Sequence, residues 1–195
     1  MPVLPLALLE AVREHDQPGE ILEDEDVQQS LPRRLGLSGV VSTQIQRYEQ
    51  AVTTGTRVSV EELTSLLQLV LRRPDAEPIL REAGRRVTRR RMGTEAPLVA
   101  RVFRRFSTLV YVPIRRAALR LLRGMVGSSR VELGKPLIVR ILPAFTADLA
   151  INACVLYTGA LEELVRIYAG REPAIVHEHC TARGDGVCQW TLVLE

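Results

Sequence analysis

The sequence predicts an α+β fold in which helices pack on an antiparallel sheet. Three observations lead there. The first two-thirds of the chain is dominated by apolar residues at helical spacing, the last third reads strand, strand, helix, strand, strand, and Gly/Pro turns separate those late segments. With 195 residues, 46% of them hydrophobic and 25% charged, the chain is long enough for one domain with a real core. Only 4% are aromatic, so that core must be built mainly from Leu, Val, Ile and Ala.

Residues 4–13 offer a short amphipathic helix closed by the turn Gln17-Pro18-Gly19, and the acidic run Glu23-Asp24-Glu25-Asp26 follows as a solvated loop or helix start. Gly36 and Gly39 interrupt the pattern before a helical segment that runs to about Thr54. Ser59-Val60-Glu61-Glu62 is a capping box, with Leu63, Leu66, Leu67, Val70 and Leu71 as the apolar stripe behind it. That helix ends before Pro74. The next begins near Asp75 and runs to Met92, where Gly93 stops it. Residues 97–127 are again helical in pattern, with Pro113 at a break or kink. Residues 130–133 and 137–142 read as strands joined across Gly134-Lys135-Pro136. A helix over 147–169 ends at Gly170, and strands over 174–180 and 187–194 close the order across Arg183-Gly184-Asp185-Gly186.

Charge is unevenly spread. Residues 81–140 hold 16 basic side chains against 3 acidic ones, whereas residues 1–80 hold 7 against 13. A basic face of Arg85, Arg86, Arg89, Arg90 and Arg91 with Arg101, Arg104 and Arg105 could serve a scaffold that binds a protein or nucleic-acid partner. Yet of the 26 basic residues only Lys135 is lysine, a skew that reflects a GC-rich genome more readily than phosphate binding, and a solvated helix face is expected. Nucleic acid is therefore not the expected partner. No secretory signal pattern opens the sequence, and the longest uncharged apolar run, residues 149–161, is too short to span a bilayer. Three cysteines do not make a disulfide framework, so a cytoplasmic protein with reduced thiols is expected.

The soft metal ligands are concentrated near the C-terminus. Cys154, Cys180 and Cys188 all lie there, as do His177 and His179, two of the three histidines. Three thiolates and one imidazole complete a tetrahedral shell for zinc. A hairpin brings Cys180 and Cys188 together if they flank its turn, and Cys154 on the preceding helix would pin that helix to the hairpin. His177 is the preferred fourth ligand, from a twisted strand end. Glu178 shares the parity of Cys180 and stays open as a hard ligand, whereas His179 points to the opposite face of a regular strand. The residues alone leave a second reading open, in which the thiols are ordinary buried or redox-active cysteines. A closed Cys3His shell leaves no position for water or substrate, so such a site is structural. No GxSxG elbow, P-loop, HExxH or dinucleotide glycine fingerprint is present, so no catalytic residue is assigned and an enzyme is not the leading expectation.

The segment from His177 to Trp190, His-Glu-His-Cys-Thr-Ala-Arg-Gly-Asp-Gly-Val-Cys-Gln-Trp, resembles the closing signature of the 4-vinyl reductase domain family: cysteine, small residue, Gly-Asp, cysteine, then an aromatic in a final strand. The stretch from Ile79 to Arg86 is similar to that family's glycine-bearing central helix. The resemblance covers about residues 60–195. Members include the sensory domains of bacterial phenol-responsive regulators, whose zinc is held by three cysteines and one acid; here His177 stands where those sensors carry glutamate. It implies structural Zn2+ at Cys154, His177, Cys180 and Cys188, and a Bet3-like fold with helices on one face of a twisted antiparallel sheet. It further implies one domain over residues 1–195, divided into an N-terminal helical extension and dimerisation region, 1–58, and a ligand-binding core, 59–195. A pocket for a hydrophobic small molecule would be lined by Val102, Phe103, Phe106, Leu109, Val110 and Tyr111, with Ile151 and Val155. The function implied is a stand-alone sensory or small-molecule binding module, homodimeric, with a regulatory protein as a further possible partner. Family members found with tetrapyrrole biosynthesis suggest an alternative role as an accessory protein or carrier in (bacterio)chlorophyll synthesis.

Overall fold

The computed structural model describes residues 2–16, 39–93, 111–126, 130–133, 137–142, 154–170, 172 and 174–193. Within them the α+β order is realised. The helices are α1 (Val3–His15), α2 (Gly39–Thr54), α3 (Val60–Leu71), α4 (Ala76–Met92), α5 (Tyr111–Val126) and α6 (Val155–Ala169), and the strands are β1 (Arg130–Leu133), β2 (Ile138–Leu142), β3 (Ala174–His179) and β4 (Cys188–Val193). All pairings are antiparallel, in the order β1-β2-β4-β3. No helix among the described residues is long and apolar enough to cross a membrane.

Local chemistry sets several of these boundaries. The Ser59 hydroxyl accepts from the Glu62 backbone N–H at 3.1 Å, so the capping box starts α3. Gly93 and Gly170 end α4 and α6 with positive φ, 54° and 69°, where a side chain would be strained. Pro113 sits in the first turn of α5, where its missing N–H has no intrahelical partner to lose, and residues 97–110 lie outside the described residues.

The principal core lies between α4, α5, α6 and one face of the sheet. Val139 and Ile141 of β2 and Cys188, Trp190 and Leu192 of β4 point into it, while Arg140, Val176 and Glu178 face solvent on the other side. The tightest contact is the crossing of α4 and α6. A Cβ on Gly84 would lie 2.0 Å from the Leu156 carbonyl oxygen, and one on Gly159 would lie 2.0 Å from that of Arg81. Only glycine at both positions permits this approach. The Thr88 hydroxyl, fully buried, bridges the same crossing by donating to the Ala160 carbonyl at 2.9 Å.

The arginines of α4 lie against carboxylates of the neighbouring helices. Arg81 and Arg85 converge on Glu162, at 2.7 and 2.9 Å, and Arg89 reaches Glu163 at 3.0 Å. On the other flank Arg90 holds Glu10 at 2.6 Å, and Arg86 is bonded to Glu14. Glu10, Glu162 and Glu163 are themselves buried. The positive stripe is thus consumed by carboxylates of α1 and α6, which orient both helices against α4. Arg91 donates to the Gly124 carbonyl of α5 at 3.2 Å. Arg101, Arg104 and Arg105 lie outside the described residues.

A smaller cluster of Leu6, Leu9, Ile45 and Tyr48 joins α2 to α1. The Tyr48 hydroxyl donates to Glu62 at 2.7 Å, and burial together with that carboxylate pushes the phenol up to about 12. Below pH 10 the phenol is neutral in the folded and the unfolded chain, so the contribution is complete. Between 10 and about 12 only the unfolded chain ionises, and stability falls as pH rises through that window. Tyr48→Phe is expected to cost about 1 kcal/mol at neutral pH and to remove one high-pH step from an ultraviolet tyrosinate titration.

Candidate metal centre

The hairpin of β3 and β4 carries three members of the cluster, and α6 presents the fourth. β4 begins with Cys188, paired with Ile141 of the neighbouring strand, and its inward side chains are Cys188, Trp190 and Leu192. On β3 the inward positions are Ile175 and His177. A regular strand would then turn Cys180 away, because 177 and 180 differ by an odd number. The ladder is not regular. His177 pairs with Trp190 and His179 with Gln189, so two residues of β3 advance against one of β4. This bulge resets the alternation and returns Cys180 to the inner side.

Cys180 is followed by a single 3-10 turn, Thr181–Arg183. The backbone N–H groups of Arg183 and Asp185 both donate to the Cys180 carbonyl, at 2.9 and 3.2 Å. Gly184 takes φ 93°, a left-handed conformation that suits glycine. Asp185 folds back to accept from the Cys180 N–H at 2.6 Å and also faces His179 Nδ1 at 3.6 Å. The turn is therefore held by its own polar groups, and Cys180 and Cys188 meet at its base. Cys154 stands at the N-terminal cap of α6, where the positive end of the helix dipole favours anionic sulfur.

The ligand atoms of Cys154, His177, Cys180 and Cys188 all lie within 4.8 Å of one another. Cys154 Sγ is 3.7 Å from Cys180 Sγ and 3.6 Å from Cys188 Sγ. A disulfide needs about 2.05 Å, and all three cysteines are free. Sulfurs placed 2.3 Å from one tetrahedral ion sit roughly 3.8 Å apart, close to the spacing found. The three cysteines are no more than 2% exposed. His177 Nε2 is buried without a hydrogen-bond partner among the described residues, a polar atom whose demand a metal would satisfy. These four residues can bind a metal ion.

Without a cation the sulfurs cannot all ionise. Donation by the Cys154 thiol, aided by the His177 imidazole and by Thr181, outweighs burial and holds Cys188 far below the ordinary thiol range, at about 3. The same hydrogen bond, followed by burial, drives Cys154 strongly upward. One anion is tolerated at the expense of its neighbour, which is the situation a bound dication relieves. The Thr181 N–H and hydroxyl, 3.4 and 3.2 Å from Cys188 Sγ, supply the outer support expected around a thiolate ligand.

The two competing fourth ligands are placed elsewhere. Glu178, which the parity of a regular strand aligns with Cys180, is turned outward by the bulge and accepts from Gln189 Nε2 at 2.7 Å. His179 is exposed and faces Asp185. Thr181, Asp185 and Thr158 emerge only in three dimensions. Thr158 accepts from Trp190 Nε1 at 2.9 Å and lies one turn beyond Cys154, so it ties the final strand to the helix that carries the ligand. Of the pocket candidates, Val102, Phe103, Phe106, Leu109, Val110 and Ile151 lie outside the described residues. Tyr111 opens α5, and Val155 opens α6, half-buried against the main core.

Trp190, the only tryptophan, is fully buried between Tyr157 and His177. Its ring stacks on His177 with centroids 4.5 Å apart and planes 7° from parallel. A metal on His177 would hold that imidazole, so a chelator is expected to release it and change the intensity and wavelength of Trp190 emission. Restoring the ion should reverse the change, and His177→Ala should abolish it. Comparison of the chain with protein-family models, curated proteins and solved structures finds no match, so the metal reading rests on the buried Cys3His geometry itself.

Proposed function

We propose that the chain is a zinc-stabilised binding module for an apolar small molecule, with the metal in a structural role. The observation that supports this most is the convergence of three thiols and one imidazole at the junction of α6 and the β3–β4 hairpin. Soft sulfur with one nitrogen in a tetrahedral set suits Zn2+ over the harder divalent ions. Four protein ligands close the shell, so the ion would hold no water for hydrolysis and would cross-link helix to hairpin. Cys154, Cys180 and Cys188 would bind as thiolates, with His177 as the neutral ligand and Thr181 steadying Cys188.

The small-molecule part rests on the likeness to the 4-vinyl reductase domains, whose Bet3-like fold also places helices on one face of an antiparallel sheet. In this reading the hairpin corner is a fixed wall, and the ligand lies among apolar side chains of the helical layer. Native mass spectrometry of freshly purified protein tests both parts together. About one zinc per chain is expected from the one such cluster among the described residues, with an additional mass released by organic extraction. Metal-free protein of undiminished stability would overturn the first part, and ligand-free protein that takes up no hydrophobic aromatic probe would overturn the second.

A further inference from the structure

We propose that the outer face of α5 docks an acidic amphipathic helix from a partner protein. This surface is separate from the metal centre and from the arginines of α4. The inner face of α5 is spent on the core: Ile114, Ala117, Ala118, Leu121, Leu122 and Met125 are all buried. The opposite face carries Val112, Arg116, Leu119 and Arg123, spaced by four, three and four residues, which is the spacing of a coiled-coil seam. Val112 is 52% exposed and Leu119 is half-buried, so the seam has apolar positions one heptad apart. Arg116 and Arg123 alternate with them, and Arg120 flanks the seam at the next position.

The contrast with α4 is what marks this face. There, Arg81, Arg85, Arg86, Arg89 and Arg90 each meet a carboxylate. The exposed Arg116, Arg120 and Arg123 have no carboxylate partner among the described residues. Arginine forks beside one exposed and one half-buried aliphatic side chain suit a partner that supplies carboxylates and apolar knobs in one stripe. A second copy of this chain is a poor occupant, because it would bring its own arginines against these. A bilayer is no better, because the apolar side of α5 is already inside the protein. A nucleic-acid backbone would satisfy the arginines but leave Val112 and Leu119 without a counterpart.

The test uses the full chain and a labelled synthetic helix of about 21 residues with Leu at the a and d positions and Glu at e and g, long enough to hold helical structure. A matched peptide carries Lys in place of Glu. Fluorescence anisotropy is expected to show binding of the acidic peptide, weakened by added salt, and none of the basic one. Combining Arg116→Glu, Arg120→Glu and Arg123→Glu should weaken binding at least about tenfold, with the milder Arg116→Gln/Arg120→Gln variant intermediate. Far-UV circular dichroism identifies any variant that fails to fold, in which case the Gln variant decides. The proposal is overturned if the acidic peptide does not bind, or binds the folded variants as tightly as the native chain. Tighter arginine-dependent binding of a DNA duplex, or of phosphatidylserine vesicles, would overturn it in favour of phosphate recognition.

Discussion

Cys188→Ser is expected to lose the metal and to lower stability by at least about 3 kcal/mol, the cost typical of breaking a built cross-link or ligand set. Serine nearly matches the shape of cysteine, so packing accounts for little of this. The sulfur stands 3.6 Å from Cys154 and accepts from Thr181, so its replacement opens the ligand set at its centre. The decisive comparison adds a strong chelator to native protein and to the variant. Native protein should fall to the variant's melting temperature, and the variant should not respond. Inert buried thiols give another pattern, a modest loss on substitution and no effect of chelator on either protein. The damage should also be local. The contacts of α1 with α2, α3 and α4 do not pass through the hairpin, so hydrogen exchange should quicken in β3 and β4 before it does in α4.

The second large effect belongs to the α4–α6 crossing. Gly84→Val and Gly159→Val are each expected to cost roughly 3 kcal/mol or more, because the added carbon meets a backbone carbonyl instead of a movable side chain. Even Gly84→Ala should destabilise, although alanine gains roughly 0.5–1 kcal/mol over glycine in an open helix. Gly124 of α5 is the internal control. Its missing Cβ would meet only the guanidinium end of Arg91, which can swing aside, so Gly124→Ala should stay within about 1 kcal/mol of the native chain. Thermal melts of the four alanine and valine variants rank the sites, and equal costs of alanine at Gly84 and Gly124 would contradict a backbone-limited crossing.

Local rules carried much of the architecture. The capping box, the glycine stops and the alternation of the late strands each depend on residues close together in sequence, and α3, α4, α6 and the sheet follow from them. Cys154, Cys180 and Cys188 were legible for a similar reason, being the only cysteines in the sequence, and His177 had one rival imidazole nearby, His179. What parity could not give was the exclusion of Glu178, because a bulge is a property of two paired strands and not of one. The role of the α4 arginines was hidden likewise. Their carboxylates sit on α1 and α6, about 70 to 80 positions away in the chain, and no helical spacing rule reaches that far. Gly159 gave no sign of its part until Gly84 was placed against it.

The bulge in β3 has a consequence for how the hairpin chooses its alignment. β3 is an edge strand, bonded only to β4, and such strands are prone to slip by a residue. A slipped or unbulged pairing puts His177 and Cys180 on opposite faces, so that at most three of Cys154, His177, Cys180 and Cys188 could reach one ion. Only one alignment assembles all four. A metal held by these four residues would thus select among alternative pairings, fixing this edge strand in place as an inorganic register pin.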